Sequence, residues 1–340
     1  MLYVNHGNYR RTEMTEKDSS APEQQMKCKI CGNEKGNEPF IARERRFATG
    51  EEFIYFICSR CHCIQIKEIP ENMDKYYPEE YYSFQQPVFP SKLNWFNAFL
   101  KKSLIRYYMG YFNITGFVLS LFFENPFPWI RKREINFDSS ILDIGSGSGR
   151  KLLSLYRSGF RNLVGIDPYI ENDINYPEGV IIKKMEVSEI NGKYDFIMLH
   201  HSFEHMPDPY FILYHINRLL KPEGCVLIRI PVADSFAWHK YRDYWAGLEA
   251  PRHLFLYTPQ SMEILAEKSG FIIDSVVYDS THLQFTDSEK YLRNLPMETS
   301  DNIFTKKEIK KFDKEAKRLN KINQGDWACF YLKKKKQGLI

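Results

Sequence analysis

ILDIGSGSG, at residues 141–149, places a short apolar strand directly before three closely spaced glycines. Residues 150–158 follow with the spacing of a helix that stops at Gly159. Glycines at such a junction let the backbone turn sharply and let a ligand lie against bare main chain. In open sheets, ligands bind at the carboxyl ends of the strands. The segment therefore predicts a ligand-binding loop after the first strand of an α/β domain.

Apolar runs and helical segments alternate regularly after this loop. Strands are predicted at 163–166, 180–185, 194–199, 225–230, 271–278 and 327–332, and helices at 209–220, 259–270 and 305–322. Strands separated by helices indicate a parallel, doubly wound sheet. The predicted fold is a Rossmann-like α/β domain with a seven-stranded sheet.

Two residues near the glycines indicate the class of ligand. A dinucleotide site prefers a third glycine where Arg150 stands. Asp143, just before the first glycine, would repel a pyrophosphate but suits a cationic ligand with a sulfonium and an ammonium group. Asp167 ends the second strand 22 residues after Gly145, where a carboxylate can accept both hydroxyls of a ribose. The loop therefore predicts a cationic nucleoside ligand rather than a dinucleotide or an empty turn.

Four segments between Ser140 and Gly270 resemble the class I S-adenosylmethionine-dependent methyltransferases of the type 11/23 kind: ILDIGSGSG, VGIDP, YDFIMLHHSFEHMPDP and LLKPEGCVLIRIP. The resemblance implies that S-adenosylmethionine is the cofactor. It also implies contacts to that cofactor, which we assign to Asp143, Gly145, Ser146, Gly147, Gly149, Asp167, Glu186 and His200. Glu186 is included because the family often places an acid near the adenine just past the third strand.

The N-terminal cysteines form two C-x-x-C pairs, separated by about 26 residues: Cys28, Cys31, Cys58 and Cys61. Four thiolates at this spacing predict a closed tetrahedral zinc site, with iron or a redox pair as the alternative. A full coordination sphere leaves no position for substrate, so the predicted zinc is structural. With the Cys-Ile-Gln run at 63–65, the pattern resembles the zinc-binding N-terminal domain of certain sugar C-methyltransferases.

The loop after the fourth strand offers groups for proton transfer. Methyl transfer is an in-line displacement that needs alignment and, where the acceptor carries a proton, a base. An imidazole titrates near neutral pH, so His201 or His205 is a candidate base, with Glu204 orienting it. The alternative is that the Glu204–His205 pair only ties the loop to its neighbours.

The segment 245–253 follows the fifth strand and should face the same cleft. Trp245 and Arg252 are predicted to line the acceptor pocket, with Arg252 binding an anionic group such as a phosphate. His253 is a further candidate base. The alternative is an ordered loop whose arginine pairs within the chain.

Aromatic residues are concentrated between Tyr76 and Trp129. This segment is predicted to be a lid over something apolar. Alternatively it is an interfacial helix at a membrane, with Lys101, Lys102 and Arg106 at the headgroups. The longest apolar run, 117–123, is far below the roughly 20 residues of a membrane span.

Length and composition predict the organisation of the chain. A chain of 340 residues favours two or more domains. We predict a flexible leader at 1–26, a zinc-ribbon-like module at 27–69, a connector and helical lid at 70–134, and the cofactor-binding domain at 135–340. The leader lacks an apolar run of signal-peptide length, so the free thiols predict the cytoplasm. The sequence leaves the oligomeric state open.

The leading functional hypothesis is methylation of a small molecule, most plausibly a sugar or glycan precursor, on oxygen or carbon. The Asp-Pro-Pro-Tyr type of motif typical of amino-group methylation is absent at 200–203. One alternative is an RNA methyltransferase, although a net charge of +4 gives nucleic-acid binding little support. It predicts a basic stripe through Lys29, Lys35, Arg43, Arg45 and Arg46. A third hypothesis is a cofactor-binding scaffold without catalysis.

Overall fold

The computed structural model describes residues 26–77, 95–130 and 135–336. Most of the predicted leader, the end of the connector at 78–94 and residues 131–134 lie outside these ranges. The strands are β1 Glu38–Arg43, β2 Glu52–Ile57, β3 Ile64–Ile66, β4 Ile141–Ile144, β5 Leu163–Ile166, β6 Ile174–Asn175, β7 Ile181–Lys183, β8 Tyr194–His200, β9 Leu220–Pro231, β10 Phe255–Leu256, β11 Phe271–Tyr278 and β12 Trp327–Lys334. The helices are α1 Trp95–Tyr108, α2 Ile114–Ser120, α3 Arg150–Ser158, α4 Pro209–Leu219, α5 Phe236–Tyr241, α6 Pro259–Lys268, α7 Leu283–Leu292 and α8 Lys306–Lys321.

The larger sheet has the strand order β11-β12-β9-β8-β4-β5-β7-β6. Strands β9, β8, β4, β5 and β7 are parallel to their neighbours in that series. The predicted Rossmann-like α/β fold is confirmed. The sheet is mixed rather than wholly parallel, because β12 runs antiparallel between β9 and β11 and the short β6 adds an antiparallel eighth strand.

The direction of β12 follows from where the chain re-enters the sheet. Ser280, just after β11, accepts a 2.8 Å hydrogen bond at its Oγ from the N–H of Trp327, the first residue of β12. The neighbouring Asp279 N–H donates to the Trp327 carbonyl at 3.1 Å. The helices between β11 and β12 thus return the chain to the end of β11. Strand β12 therefore starts where β11 ends and runs antiparallel to it.

Strand β9 is longer than predicted. The Lys-Pro-Glu-Gly sequence at 221–224 predicts a stop before a strand at 225–230, but β9 runs continuously from Leu220 to Pro231. Leu220 pairs with Tyr194 of β8, and an irregularity in the register follows. Pairing with a neighbouring strand thus extends β9 through residues that favour a turn locally.

The smaller sheet is antiparallel, with the order β1-β2-β3-β10. Its fourth strand comes from far along the chain, because Phe255 and Leu256 of β10 pair with Gln65 and Ile64 of β3. Buried side chains of this sheet, such as Tyr55, belong to the same apolar core as those of the larger sheet. The cysteine-bearing residues are therefore packed directly onto the α/β domain, while the predicted domain boundaries stay a prediction.

Helices α1 and α2 lie within the described part of the aromatic segment. Ile105 and Met109 pack in one core cluster with Leu152 and Leu155 of α3, on a flank of the larger sheet. Large side chains remain exposed on the outer surface, among them Trp95, Phe96, Phe99, Phe112, Ile114, Leu121, Phe122 and Phe123. Across the described residues, every helix is too short or too polar to cross a membrane.

Candidate active site

The glycine loop between β4 and α3 is the first part of the site. Gly145, Gly147 and Gly149 have φ values of +72°, +53° and +76°, a region that residues with a Cβ rarely adopt. A Cβ on Gly145 would lie 2.5 Å from the Cβ of Ser202, which follows β8. The loop is therefore a sharp turn whose glycines carry no side chain, in close contact with the carboxyl end of β8, the strand beside β4 in the sheet.

Two buried carboxylates lie beside this loop. Asp167, directly after β5, accepts hydrogen bonds from the N–H groups of Gly147 and Tyr169, at 2.8 and 2.9 Å. Asp143, within β4, is only 2% exposed, and burial raises its pKa to about 7. A bound cation would favour the ionised form of that carboxyl, whereas a phosphate would disfavour it. The pair therefore fits a cationic ligand better than a phosphate.

The other residues assigned to the cofactor have different surroundings. His200 ends β8 and packs against the Trp129 ring at a centroid distance of 4.6 Å. Both ring nitrogens of His200 are buried, and neither has a hydrogen-bond partner among the described residues. Ser146 lies in the loop with its Oγ 3.5 Å from the Ile166 carbonyl oxygen. Glu186 is exposed beyond β7.

The close contact at Gly145 leads to a testable prediction. Gly145→Ala adds a Cβ at φ +72° where Ser202 is 2.5 Å away, whereas Gly50 also has φ +72° but meets nothing within 4 Å. Because Gly50→Ala carries the same backbone strain, it is a matched control. We expect Gly145→Ala to lower the melting temperature further and to weaken S-adenosylmethionine binding at least about tenfold, while Gly50→Ala leaves binding unchanged. Equal effects of the two variants in calorimetry would contradict the described loop geometry.

A cavity of about 340 Å³ lies beyond the carboxyl end of β8 and is lined in part by His201. It brings together three of the predicted catalytic histidines. The residues that line it are Arg46, His201, His205, Pro231, Ala246, Gly247, Glu249, His253, Leu283, Gln284, Asp287, Met297, Asp326 and Trp327. His201 precedes Ser202, the residue in contact with Gly145, so the cavity and the glycine loop are neighbours. His201 and Glu249 have positive φ values of +52° and +38°, a strain that is common at functional sites.

Glu204 lies behind these histidines and is fully buried. Its Oε1 is 3.6 Å from Nδ1 of His201 and 3.9 Å from Nε2 of His253. Neither carboxyl oxygen has a hydrogen-bond partner among the described residues. Burial raises the pKa of Glu204 to about 8. A buried carboxylate without a partner destabilises the fold unless a ligand or a proton satisfies its oxygens.

Backbone carbonyls fix the tautomers of two histidines. Nδ1 of His205 lies 2.8 Å from the Arg252 carbonyl oxygen, and Nδ1 of His253 lies 2.8 Å from that of Gly247. Because a carbonyl only accepts, each Nδ1 carries the hydrogen and each Nε2 has a free lone pair. Burial lowers the pKa of His205 to about 3 and also lowers that of His253, so both rings are neutral at pH 7.

His201 has the opposite tautomer. Its Nε2 accepts a hydrogen bond from the Arg229 guanidinium, which in turn pairs with Asp279 at 2.7 Å. The remaining hydrogen is therefore on Nδ1, on the side of Glu204. Burial and the neighbouring Arg229 hold the pKa of His201 well below its usual range. In this arrangement the lone pair of His201 is already used, so the ring does not accept a further proton.

Arg252 is placed differently from the sequence expectation that it binds an anionic substrate. The side chain is fully buried, with Nε 2.9 Å from Oε1 of Glu249 and Nη2 3.7 Å from Oε1 of Glu44. Carboxylates of the chain itself thus replace the expected phosphate. Trp245 is also buried, and its Nε1–H donates to Asp326 at 3.1 Å, so it supports the cavity from behind.

Several cavity residues were not assigned to the site from the sequence. Glu249 falls within the segment 245–253, and its acidic side chain was a usable signal. Although burial alone would raise its pKa, the guanidinium of Arg252 holds it below the usual range, so Glu249 is ionised. Gln284 and Asp326 reach the cavity only through the tertiary fold, and no local pattern marks them.

The four predicted zinc ligands form a single buried group. The sulfur atoms of Cys28, Cys31, Cys58 and Cys61 all lie within 4.8 Å of one another. The Sγ–Sγ distances are 3.6 Å for Cys28–Cys61 and 3.4 Å for Cys31–Cys58, near the roughly 3.8 Å of a tetrahedral Zn–S₄ centre. The donor set and spacing therefore fit a structural zinc ion.

The arginines of the predicted basic stripe are paired with acids. Arg43 pairs with Glu52, and Arg45 pairs with Asp243 at 2.7 Å. Arg46 is 3.0 Å from Glu249. The positive charge of these residues is thus balanced locally, which weakens the case for an RNA-binding face.

Part of this chain is similar to known methyltransferases. Residues 121–276, which include the glycine loop and the cavity histidines, match the model of a methyltransferase domain. EEF1A lysine methyltransferase 2 of Homo sapiens is 43% identical over 72 residues, 21% of this chain and 30% of that protein. The chain thus spans about 30% of the length of that curated relative.

Two solved structures are similar in fold. A putative sarcosine dimethylglycine methyltransferase from Galdieria sulphuraria has a TM-score of 0.38 and 15% identity, over 60% of this chain and 80% of its own. The 1,6-didemethyltoxoflavin-N1-methyltransferase of Burkholderia thailandensis has a TM-score of 0.37 and 15% identity, over 73% of this chain and 93% of its own.

Proposed function

We propose that this chain, which carries a class I S-adenosylmethionine-dependent methyltransferase domain, transfers a methyl group from that cofactor to a small molecule in the cavity. The supporting observation is the junction of the two sites. Ser202 contacts Gly145 of the glycine loop, and the adjacent His201 lines the cavity. A cofactor on the loop would therefore present its methyl group beside the acceptor.

The residues of the loop fit the parts of the cofactor. Bare backbone at Gly145 and Gly147 admits the ligand closely, and Asp143 favours its positive charge. Asp167 can accept the ribose hydroxyls with its remaining lone pairs. The ring nitrogens of His200, at the end of β8, are buried without a hydrogen-bond partner among the described residues. When bound, the cofactor supplies a methyl group on a positively charged sulfur.

The reaction forms a bond between the acceptor atom and the methyl carbon and breaks the bond between that carbon and sulfur. The bonding electrons stay on sulfur, which becomes a neutral thioether. A hydroxyl acceptor must also lose its proton. The enzyme's part is to align the three atoms and to receive or release that proton. We place the reacting group beside Glu204, His205 and His253, whose acceptor atoms converge at the cavity.

Unpaired acceptor atoms in and behind the cavity favour a polyhydroxylated acceptor. Oε1 of Gln284, Oδ1 of Asp326 and both carboxyl oxygens of Glu204 are buried without a hydrogen-bond partner among the described residues. Such atoms need donors, and the hydroxyls of a sugar provide several in one molecule. A sugar or glycan precursor therefore fits this cavity, with methylation on oxygen or carbon.

A protein amino group is the second candidate. The curated relative is by its name a lysine methyltransferase. The carboxylate of Glu249 lines the cavity, but Arg252 and Arg46 already pair with it. The Asp-Pro-Pro-Tyr type of motif that is absent at 200–203 concerns adenine and glutamine N-methylation, so its absence does not count against lysine.

The test is a screen with radiolabelled cofactor against nucleotide-sugars, glycolipid precursors, lysine-containing proteins and RNA. We expect label in the sugar or glycolipid fraction, and much less of it with an Asp167→Ala variant at a limiting cofactor concentration. Label in protein or RNA would keep the enzyme class but reject the acceptor. Cofactor binding with no labelled product in any pool would support a scaffold instead.

A further inference from the structure

We propose that the cavity contains a second metal site, in which Glu204, His205 and His253 hold a divalent first-row cation. The role given to this cation below rests on the proposed methyl transfer, whereas its binding does not. The site is separate from the four-cysteine group and uses a different donor set.

Three potential metal ligands converge at this point, one from each residue. One ligand atom from each of the three residues lies within 4.8 Å of the other two. The 3.9 Å between Oε1 of Glu204 and Nε2 of His253 is too long for a shared proton to bond them. A single hydroxyl could satisfy only one of the three atoms. A cation satisfies all of them at once.

The histidines are already arranged as metal ligands. A ligating imidazole typically donates its other N–H to a backbone carbonyl or a carboxylate, which fixes the ring and its tautomer. His205 does so to Arg252 and His253 does so to Gly247, both at 2.8 Å. The carboxylate of Glu204 has no such support, because Nδ1 of His201 lies 3.6 Å from its Oε1, beyond hydrogen-bond distance.

The donor set indicates the class of metal. Two imidazole nitrogens and one carboxylate suit Zn²⁺, Fe²⁺, Co²⁺ or Mn²⁺, while the four thiolates of the N-terminal site favour zinc. Three protein ligands also leave coordination positions open, as in catalytic sites. The adjoining cavity provides space for water or an acceptor hydroxyl in those positions.

A cation here would replace a side-chain base. A hydroxyl bound to a divalent cation has a lowered pKa, as bound water does, and loses its proton at neutral pH. The proton goes to water in the cavity, the oxygen bonds to the methyl carbon, and the carbon–sulfur bond breaks. His205 and His253 then act as ligands, and their low proton affinity is no obstacle to the reaction.

The test uses full-length protein already loaded with one equivalent of Zn²⁺ and titrates it with Co²⁺. Thiolate-bound cobalt has intense charge-transfer bands that cobalt bound by nitrogen and oxygen lacks, so the spectrum reports the donor set. Calorimetry gives the stoichiometry and affinity. Glu204→Gln and His253→Ala test the ligands, and His239→Ala, at an exposed histidine, is the matched control.

We expect one further Co²⁺ per chain, without thiolate bands, and a dissociation constant at least about tenfold higher in Glu204→Gln and His253→Ala. The His239→Ala variant should bind like the wild type. Absence of this second equivalent, or equal affinity in all variants, would overturn the proposal. S-adenosylmethionine binding, measured on the same samples, separates the two claims: cofactor binding without cobalt removes only the metal site, and cobalt without cofactor removes the proposed function.

Discussion

Replacing Asp167 by alanine is expected to weaken S-adenosylmethionine binding roughly 10- to 150-fold, because hydrogen bonds to a charged group contribute about 1.5–3 kcal/mol. Asp167 is 6% exposed and bonds the N–H groups of Gly147 and Tyr169. The substitution therefore removes the predicted ribose partner and also releases the glycine loop. Calorimetric titration with the cofactor measures the loss.

Asp138→Ala is the control, since Asp138 is an exposed aspartate near the start of β4. Its affinity for the cofactor should equal that of the wild type. If Asp167→Ala also bound the cofactor normally, the ribose would lie elsewhere, and the assignment of this carboxylate would be wrong.

Loss of the four-cysteine site is expected to reduce methyl transfer at least about 100-fold while changing cofactor affinity less than about threefold. Structural zinc contributes about 10–16 kcal/mol to the folding of small domains. Here the small sheet also supports the cavity: the Tyr55 hydroxyl donates to the His253 carbonyl at 2.9 Å, and Arg46 forms part of the lining. Displacing such supports by about 1 Å can cost 100-fold in rate.

Cys58→Ala tests this prediction without chelators, which would also strip the proposed second site. The matched control is Cys63→Ala, because Cys63 is equally buried but outside the four-sulfur group. Turnover and cofactor affinity are measured on both variants. Cofactor binding that disappeared together with turnover in Cys58→Ala would mean that the glycine loop itself depends on the metal.

Local patterns predicted most of the fold. The strand and helix around the glycine loop, β4 and α3, have the predicted bounds because a short apolar run and glycine stops are local signals. Thr305 and Glu308 form a capping box at the start of the predicted last helix, and both partners lie within one turn. The C-x-x-C pairs are also a local signal, because their spacing alone predicts a four-cysteine metal site.

Features that depend on distant partners were not predictable in the same way. Arg252 was expected to bind a substrate anion, but Glu44, 208 residues earlier, is one of its carboxylate partners. From the sequence, an arginine can be expected to pair with an anion. Which anion lies beside it depends on the tertiary fold. The antiparallel direction of β12 has the same origin, because an apolar strand reads alike in both directions.

The pairing of β3 with β10 has a consequence for synthesis on the ribosome. Ile64 to Ile66 are made about 190 residues before Phe255 and Leu256, the residues that cover their open edge. At translation rates of roughly 5–20 residues per second, the edge of β3 stays unpaired for about 10–40 s before β10 is made. An uncovered strand edge is prone to pair with other chains. The nascent protein therefore passes through an interval in which its first sheet lacks its fourth strand.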